Sequence, residues 1–293
     1  MNLTFVTCIY YDLFETEFGG RPHPKNKYFY GIESALKTNS PFVIFVWPKN
    51  IEETKNHFID FLGEDEFNNR IKVIGFDLYA TEYREIIKKE KETGSGQRYA
   101  GDRSPDVCIS KFGMLKQVAE DNYFNTESFF WIDAGLSSSS LFPDKYLDLD
   151  SRDRRWSSCS LFTPNVAENL YKKLDDRVLL IKNNSLGWGF KAGHISYDDE
   201  AYYYIIGGLF GGMKESVITF CTQIMNSFYF YVNDEEMLYM DEELLTLLYF
   251  NNKESFNTLE FDVWHHEDSG EWVQELIIGK KNFYTLFEEL NNQ

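Results

Sequence analysis

Short apolar runs alternate with amphipathic stretches through the first half of the chain. The apolar runs are rich in β-branched and aromatic residues, which is typical of buried strands. They are Leu3–Tyr10, Phe42–Trp47, Arg70–Phe76 and Phe129–Ile132. Helices are predicted between them, over Tyr28–Lys37, Ile51–Leu62 and Asp106–Asp121, the last with Ser104 as N-cap and Pro105 at its first position. Strands that alternate with helices predict a parallel, Rossmann-like sheet.

The second half of the chain is less regular. Strands are predicted over Val178–Ile181, Tyr202–Ile206 and Leu259–Trp264. Gly207–Gly212 is predicted as a glycine-rich loop that leads into a helix over Lys214–Val232. A further helix is predicted over Asp234–Phe250, whose acidic start suits the helix dipole. The whole chain, 1–293, is therefore interpreted as one α/β domain with an elaborated C-terminal half.

Composition narrows the class of protein. A chain of 293 residues with 43% hydrophobic and 17% aromatic residues has ample material for a large core, which excludes disorder. The net charge of −18 argues against binding to nucleic acid or to anionic lipid. Four scattered cysteines indicate reduced thiols. The sequence shows neither a signal peptide nor a transmembrane segment, so we expect a soluble, cytoplasmic protein.

The clearest candidate for chemistry is Asp133 in FFWIDAGLSSSS. An apolar strand delivers this carboxylate at its carboxyl end, where open α/β sheets bind ligands. A carboxylate there suits Mg²⁺ or Mn²⁺ carrying phosphates. The alternative is an Asp that caps the following turn through the backbone, and the pattern alone leaves both open.

Three weaker signals accompany Asp133. The segment IIGGLFGGMKES lacks the GK[ST] of a phosphate-binding Walker loop. Its glycines either let a substrate approach the backbone beside a helix N-terminus or form a tight strand-to-helix turn with positive φ, and the turn is slightly favoured. Asp241, Glu242 and Glu243 open DEELL, where one acid can serve as a base, although a solvated acidic face is the expected role of any single one. The pair His265-His266 offers an imidazole to a metal or merely a polar strand end.

Basic residues are concentrated between Arg84 and Lys116, where eight basic residues stand against five acidic ones. Such groups suit a small anionic ligand, above all a diphosphate. The candidates are Arg84, Arg98, Arg103 and Lys111.

Four pieces in this order give the chain a resemblance to a known family. They are TFVTCIYYD, the SP-x(5)-K segment from Ser104 to Lys111, FFWIDAGL, and GGLFGG followed by DEELL. The chain resembles the WlaTC/HtrL/YibB-type proteins, bacterial glycosyltransferases of cell-surface polysaccharide loci with a GT-A-like fold. The resemblance runs from about residue 3 to residue 266. It implies a mixed, mostly parallel sheet flanked by helices, with a nucleotide-binding half of about 1–135 and an acceptor-binding half of about 136–293.

The resemblance also implies roles for individual residues. Asp133 corresponds to the metal-binding acid of the GT-A D-x-D motif, but the second Asp is replaced in Asp133-Ala134-Gly135. His265 or His266 is expected to supply the missing ligand. Thr7, Tyr10 and Asp12 are expected near the nucleotide base and ribose, and Arg84 and Lys111 near the diphosphate. Gly207, Gly208, Asp241 and Glu242 are expected at the acceptor, with one of the two acids as the base if the enzyme inverts.

The resemblance implies a hexosyltransferase that moves a sugar from a nucleotide-sugar, expected to be a UDP-sugar, to a glycan or lipid-linked acceptor, with Mn²⁺ or Mg²⁺ bound. Its location is expected to be cytoplasmic, with a peripheral position at the inner membrane face left open. The main alternative is a non-catalytic carbohydrate-binding protein with a degenerate GT-A fold, because the second Asp is missing. A metal-dependent phosphohydrolase is weaker, since Asp133 lacks a neighbouring carboxylate.

Overall fold

A computed structural model describes residues 2–11, 25–92, 105–136, 142–147, 159–184, 204–234, 241–262 and 281–293. These residues form seven strands and nine helices. The strands are β1 (Leu3–Ile9), β2 (Phe42–Val46), β3 (Ile71–Gly75), β4 (Ser128–Ile132), β5 (Val178–Asn183), β6 (Tyr204–Met213) and β7 (Phe256–Phe261). The helices are α1 (Lys25–Leu36), α2 (Ile51–Leu62), α3 (Glu64–Arg70), α4 (Glu82–Glu92), α5 (Pro105–Asp121), α6 (Pro164–Lys172), α7 (Lys214–Asp234), α8 (Asp241–Asn251) and α9 (Phe283–Asn292).

All seven strands join one sheet in the order β3-β2-β1-β4-β6-β5-β7. Strands β3, β2, β1 and β4 are parallel. Strand β6 runs antiparallel to its neighbours β4 and β5, and β7 is parallel to β5. This arrangement confirms the predicted fold class, a mixed and mostly parallel sheet flanked by helices.

The sheet separates two hydrophobic cores because successive strand residues point to opposite faces. In β1, Val6 and Cys8 belong to one core, and Phe5 and Ile9 to the other. The first core is closed by α4, α5, α7 and α8. The second is closed by α1, α2, α3, α6 and α9. Burial on both faces explains why the parallel strands are continuous apolar runs.

The predicted glycine-rich loop at Gly207–Gly212 is wrong. All of these residues lie in β6, which pairs with β4 from Ile132↔Leu209 to Ser128↔Met213. Among the described residues Gly63 is the one glycine with positive φ, so the expected positive φ in the 207–212 segment is wrong as well. Glycine is needed there for close packing: a Cβ on Gly211 would lie 2.3 Å from the Phe129 carbonyl oxygen.

Other predicted boundaries in the second half also differ. The helix expected from Asp234 instead begins at Asp241 within the described residues, and Asp234 ends α7. The last predicted strand is found three residues earlier, as β7.

Across the described residues, no helix is long and apolar enough to cross a membrane.

Candidate functional site

The sheet reverses its strand order beside β1. The chain builds β2 and β3 on one side of β1 and then places β4 on the other side. In open α/β sheets this reversal leaves a crevice outside the carboxyl ends of the two strands, and ligands bind there. Asp133 directly follows β4, and 47% of its side chain is exposed.

Two neighbours fix the orientation of Asp133. Trp131 Nε1 donates to Asp133 Oδ1 at 2.7 Å, and the Asp133 backbone N–H donates to the Gly208 carbonyl at 2.8 Å. Our sequence reasoning missed the role of Trp131. The signal was readable, since residues i and i+2 of a strand share a face and the sequence reads Trp131-Ile132-Asp133.

Lys111 lies behind Asp133, and only 3% of its side chain is exposed. Its ammonium donates to Asp241 Oδ2 at 2.5 Å, to the Gly207 carbonyl at 3.0 Å and to Asp133 Oδ1 at 3.4 Å. It also lies 5.5 Å from the centroid of the Trp131 ring, within range of a cation–π contact. We call Lys111, Asp133, Asp241 and Gly207 the lysine cluster.

The charge of Lys111 follows from these neighbours. Burial by itself lowers the pKa of a lysine, because it disfavours the charged form. The carboxylates of Asp133 and Asp241 outweigh burial, so the pKa of Lys111 is raised above its ordinary value. The side chain is therefore a permanent cation at neutral pH.

A bulge in β6 opens the space for this cluster. Leu180 pairs with Phe210, but the next residue of β5, Ile181, pairs with Ile206, so 207–209 are extra residues opposite β5. Bulges of this kind redirect backbone groups and are frequent next to active sites. A Cβ on Gly207 would lie 2.0 Å from Asp241 Oδ2 and 3.2 Å from Lys111 Nζ. The position therefore accepts glycine alone without rearrangement of the cluster.

The acidic start of α8 is not the solvated face that we expected. Asp241 and Glu243 are buried, and Asp241 is ion-paired with Lys111. Glu242 is half-buried, and its Oε1 accepts a hydrogen bond from the Gly207 backbone N–H at 3.3 Å. The expectation fails because the partner of Asp241 comes from α5, 130 residues away in the sequence.

Thr7 and Tyr10, the residues predicted near the nucleotide, are buried in β1 and directly after it. The Tyr10 hydroxyl donates to the Phe76 carbonyl at 3.1 Å, and its ring packs edge-on against Trp47 at 5.1 Å between centroids. Thr7 Oγ1 has no hydrogen-bond partner within the described residues. Neither side chain is brought to the lysine cluster by any of these contacts.

Arg84, predicted at the diphosphate, belongs to a different contact group. Its guanidinium donates to Asp106 Oδ2 at 2.9 Å and lies 4.4 Å from the centroid of the Tyr79 ring. Asp106 is almost fully buried. This pair joins α4 to the start of α5, whereas Lys111 lies on the same helix further along.

Cys8 and Tyr28 are two further neighbours that sequence reasoning missed. Burial, followed by the charge of Asp133, raises the pKa of the Cys8 thiol, and Lys111 partly opposes this. Burial is the largest cause that raises the pKa of the Tyr28 hydroxyl, and the charge of Asp133 adds to the rise. Both groups are therefore protonated at neutral pH, and neither serves as an anionic nucleophile or base.

The remaining predicted residues, Asp12, His265 and His266, lie outside the described residues, as do Arg98 and Arg103. In the part of the chain that the structure describes, no three His, Cys, Asp or Glu side chains converge as a metal would require. Asp241 faces Lys111, which leaves Asp133 as the accessible carboxylate of the lysine cluster. The described residues therefore do not fit a divalent metal centre by themselves.

Comparison with known proteins gives a fold likeness and no family. No protein-family model matches the chain, and no curated protein matches it. Among solved structures the chain is similar to 4-diphosphocytidyl-2C-methyl-D-erythritol synthase from Anaerococcus prevotii DSM 20548. The identity is 10%, the match covers 94% of this chain and 92% of that one, and the TM-score is 0.42. A likeness of this extent does not identify an activity.

Proposed function

We propose that the protein is a glycosyltransferase of the WlaTC/HtrL/YibB type, which transfers a sugar from a nucleotide-sugar to a hydroxyl of a glycan or lipid-linked acceptor. The proposed donor is a UDP-sugar, and the proposed setting is the synthesis of bacterial surface polysaccharide or lipooligosaccharide in the cytoplasm. One observation carries the proposal. The half-exposed carboxylate of Asp133 stands at the strand-order reversal of the sheet and is held there by Trp131 and the buried Lys111.

The acceptor side of the proposal rests on Glu242. In an inverting transfer the acceptor oxygen attacks the anomeric carbon while the bond from that carbon to the diphosphate breaks, and a base takes the hydroxyl proton. Glu242 is half-buried beside Gly207, whose backbone N–H orients its Oε1. Asp241 is a poorer base because its side chain is 5% exposed and paired with Lys111. We therefore assign the base to Glu242 and a positioning role to Asp241.

The donor side of the proposal rests on position and on the basic residues. Lys111 uses its three hydrogens on acceptors of the protein, so we do not assign it to the diphosphate. Arg84 is paired with the buried Asp106, so we do not assign it to the diphosphate either. Arg98 and Arg103 stay the proposed diphosphate partners, and Thr7, Tyr10 and Asp12 stay the proposed neighbours of the nucleoside. The proposed division into a nucleotide-binding half, 1–135, and an acceptor-binding half, 136–293, is compatible with Asp133 at their border.

The test is release of nucleoside diphosphate from a panel of nucleotide-sugars, with and without glycan acceptors. We expect activity with one donor, and we expect Asp133→Asn to abolish it while the circular dichroism spectrum is unchanged. The matched control is Asp175→Asn, which removes a carboxylate of similar exposure (42%) that pairs with Arg177 in a surface turn. That control should keep full activity.

Three outcomes would contradict the proposal. An Asp133→Asn protein with full activity would refute the assignment of this residue. Glycan binding without affinity for any nucleotide would favour the non-catalytic carbohydrate-binding protein. Release of inorganic phosphate from simple esters would instead indicate the phosphohydrolase.

A further inference from the structure

Lys111 is enclosed by oxygen atoms on the side where its ammonium points. Two carboxylate oxygens, one each from Asp133 and Asp241, and the carbonyl oxygen of Gly207 all lie within 3.5 Å of Nζ. Carboxylate and backbone carbonyl oxygens are also the donors that a hard divalent cation selects. The lysine cluster therefore has the oxygen donors of a cation site, and the ammonium of Lys111 occupies the position of the cation.

The charges support the same interpretation. Asp133 and Asp241 both contact one nitrogen, so two ionised carboxylates are held close together. Like charges at such separations repel each other, and burial of Asp241 strengthens that repulsion. The ammonium of Lys111 lies between them and offsets this repulsion.

The backbone around the cluster is adapted to this arrangement. The bulge at 207–209 turns the Gly207 carbonyl toward Nζ, and the absence of a side chain at Gly207 leaves room for Asp241 Oδ2. Lys111 itself is on α5, and Asp241 is the first residue of α8. The end of β4, the bulge of β6 and the start of α8 thus supply one acceptor each for the three hydrogens of a single buried ammonium.

We propose that Lys111 replaces a divalent metal between Asp133 and Asp241, as a positioning residue that holds Asp133 ready for substrate. This explains how the chain manages without the second Asp of a D-x-D motif. The identity of that substrate rests on the proposed function, but the replacement of the metal does not. On this proposal, a metal held by His265 or His266 is not needed to offset the repulsion between Asp133 and Asp241.

The test is a calorimetric titration of Mn²⁺ into the protein without any nucleotide or glycan present. The Mn²⁺ affinity of the wild-type protein should be the same as that of the Asp133→Asn variant. Lys111→Met removes the ammonium and keeps a side chain of similar length, so the two carboxylates should gain Mn²⁺ affinity at least tenfold above that of the wild type. Adding Asp241→Asn to this variant should remove the gain, and Mn²⁺ should raise the melting temperature of Lys111→Met alone.

Lys116→Met is the matched control, since Lys116 lies on the same helix, is more exposed and faces Glu120 at 3.8 Å. It should gain no Mn²⁺ affinity. If Lys111→Met does not fold, Lys111→Gln serves instead, because its amide still donates to the carboxylates without the charge.

Two results would overturn the proposal. The first is a folded, neutral Lys111 variant without increased Mn²⁺ affinity, which is what a purely structural lysine predicts. The second is Mn²⁺ uptake by the wild type that Asp133→Asn abolishes. Since no nucleotide is present, neither result bears on whether the protein is a glycosyltransferase, and a failed donor screen would leave this test intact.

Discussion

Helix α5 contributes to two buried ion pairs whose surroundings differ. Near its start, Asp106 accepts from Arg84, which gives one cation for one carboxylate. Further along, Lys111 contacts two carboxylates, Asp133 and Asp241, and Glu242 lies beside Gly207 on the same side. Among the described contacts, the first pair joins one cation to one carboxylate, whereas the second group has one cation for two carboxylates.

The difference indicates which of the two is built for function. The Arg84–Asp106 pair is buried between α4 and α5 and joins the two helices. The lysine cluster instead leaves a half-exposed carboxylate at the carboxyl end of β4, where the sheet provides a crevice. An excess of negative charge held rigidly at such a position costs stability, and active sites are where such costs are found.

The largest effect on stability should come from Lys111→Met. It leaves Asp241 buried without its cation, and the loss of one partner of a buried pair costs about 3–5 kcal/mol. The measurement is the free energy of unfolding in urea. The double variant Lys111→Met/Asp241→Leu removes both charges and should recover at least half of the loss, and an equal loss in both would show that packing, not charge, is responsible.

The next largest effect should come from Gly207→Ala. Its Cβ would meet Asp241 Oδ2 at 2.0 Å, and forcing an extra methyl into a packed site costs about 1–3 kcal/mol. Gly113→Ala on α5 is the control, because the nearest atom to its Cβ, the Tyr83 hydroxyl oxygen, is 3.9 Å away. In a helix that change should stabilise by about 0.5–1 kcal/mol. If Gly207→Ala left the free energy of unfolding unchanged, β6 would be able to move at its bulge to make room for the methyl group.

An effect similar in size to that of Gly207→Ala is expected from Arg84→Met. It removes a charge-assisted hydrogen bond to the buried Asp106, which is worth about 1.5–3 kcal/mol. Thermal and urea unfolding measure the loss. A loss larger than that of Lys111→Met would reverse the comparison and make the Arg84–Asp106 pair the more tightly coupled of the two.

A further effect is expected from Trp131→Phe. The hydrogen bond from Nε1 to the half-exposed Asp133 is lost, at about 1 kcal/mol, and the smaller phenyl ring leaves part of a buried position unfilled, which adds to the loss. Sugar transfer should fall more than stability, because Asp133 loses one of the donors that orient it. A fall in stability with transfer unchanged would mean that Lys111 alone positions this carboxylate.

The fold was largely predictable because its strands are local apolar runs bounded by polar residues. The predicted ends of β1, β2, β3 and β4 agree with the structure to within one residue. The six residues from Gly207 to Gly212 were not predictable in this way. Four glycines are typical of a loop, and only pairing with β4 and β5, which are distant in sequence, makes them a strand.

Site residues that belong to one strand could be predicted from the sequence, whereas contacts between residues far apart in the sequence could not. Asp133 follows from a strand that ends in a carboxylate, and Trp131 could have been found from the strand alternation. The roles of Lys111 and Asp241 depend on a contact across 130 residues, which no local pattern reveals. Sequence reasoning therefore selected Lys111 as a ligand of the diphosphate, although its contacts favour a role behind the carboxylates.

The most direct measurement is calorimetric titration of UDP into the wild-type protein in two buffers, one with Mn²⁺ and one with EDTA. If the protein is a glycosyltransferase in which Lys111 takes the place of the metal, UDP should bind saturably and with the same affinity in both buffers. Binding that disappears in EDTA would contradict the role of Lys111 and keep the transferase. Absence of binding in both buffers, repeated with GDP, CMP and dTDP, would contradict the transferase itself.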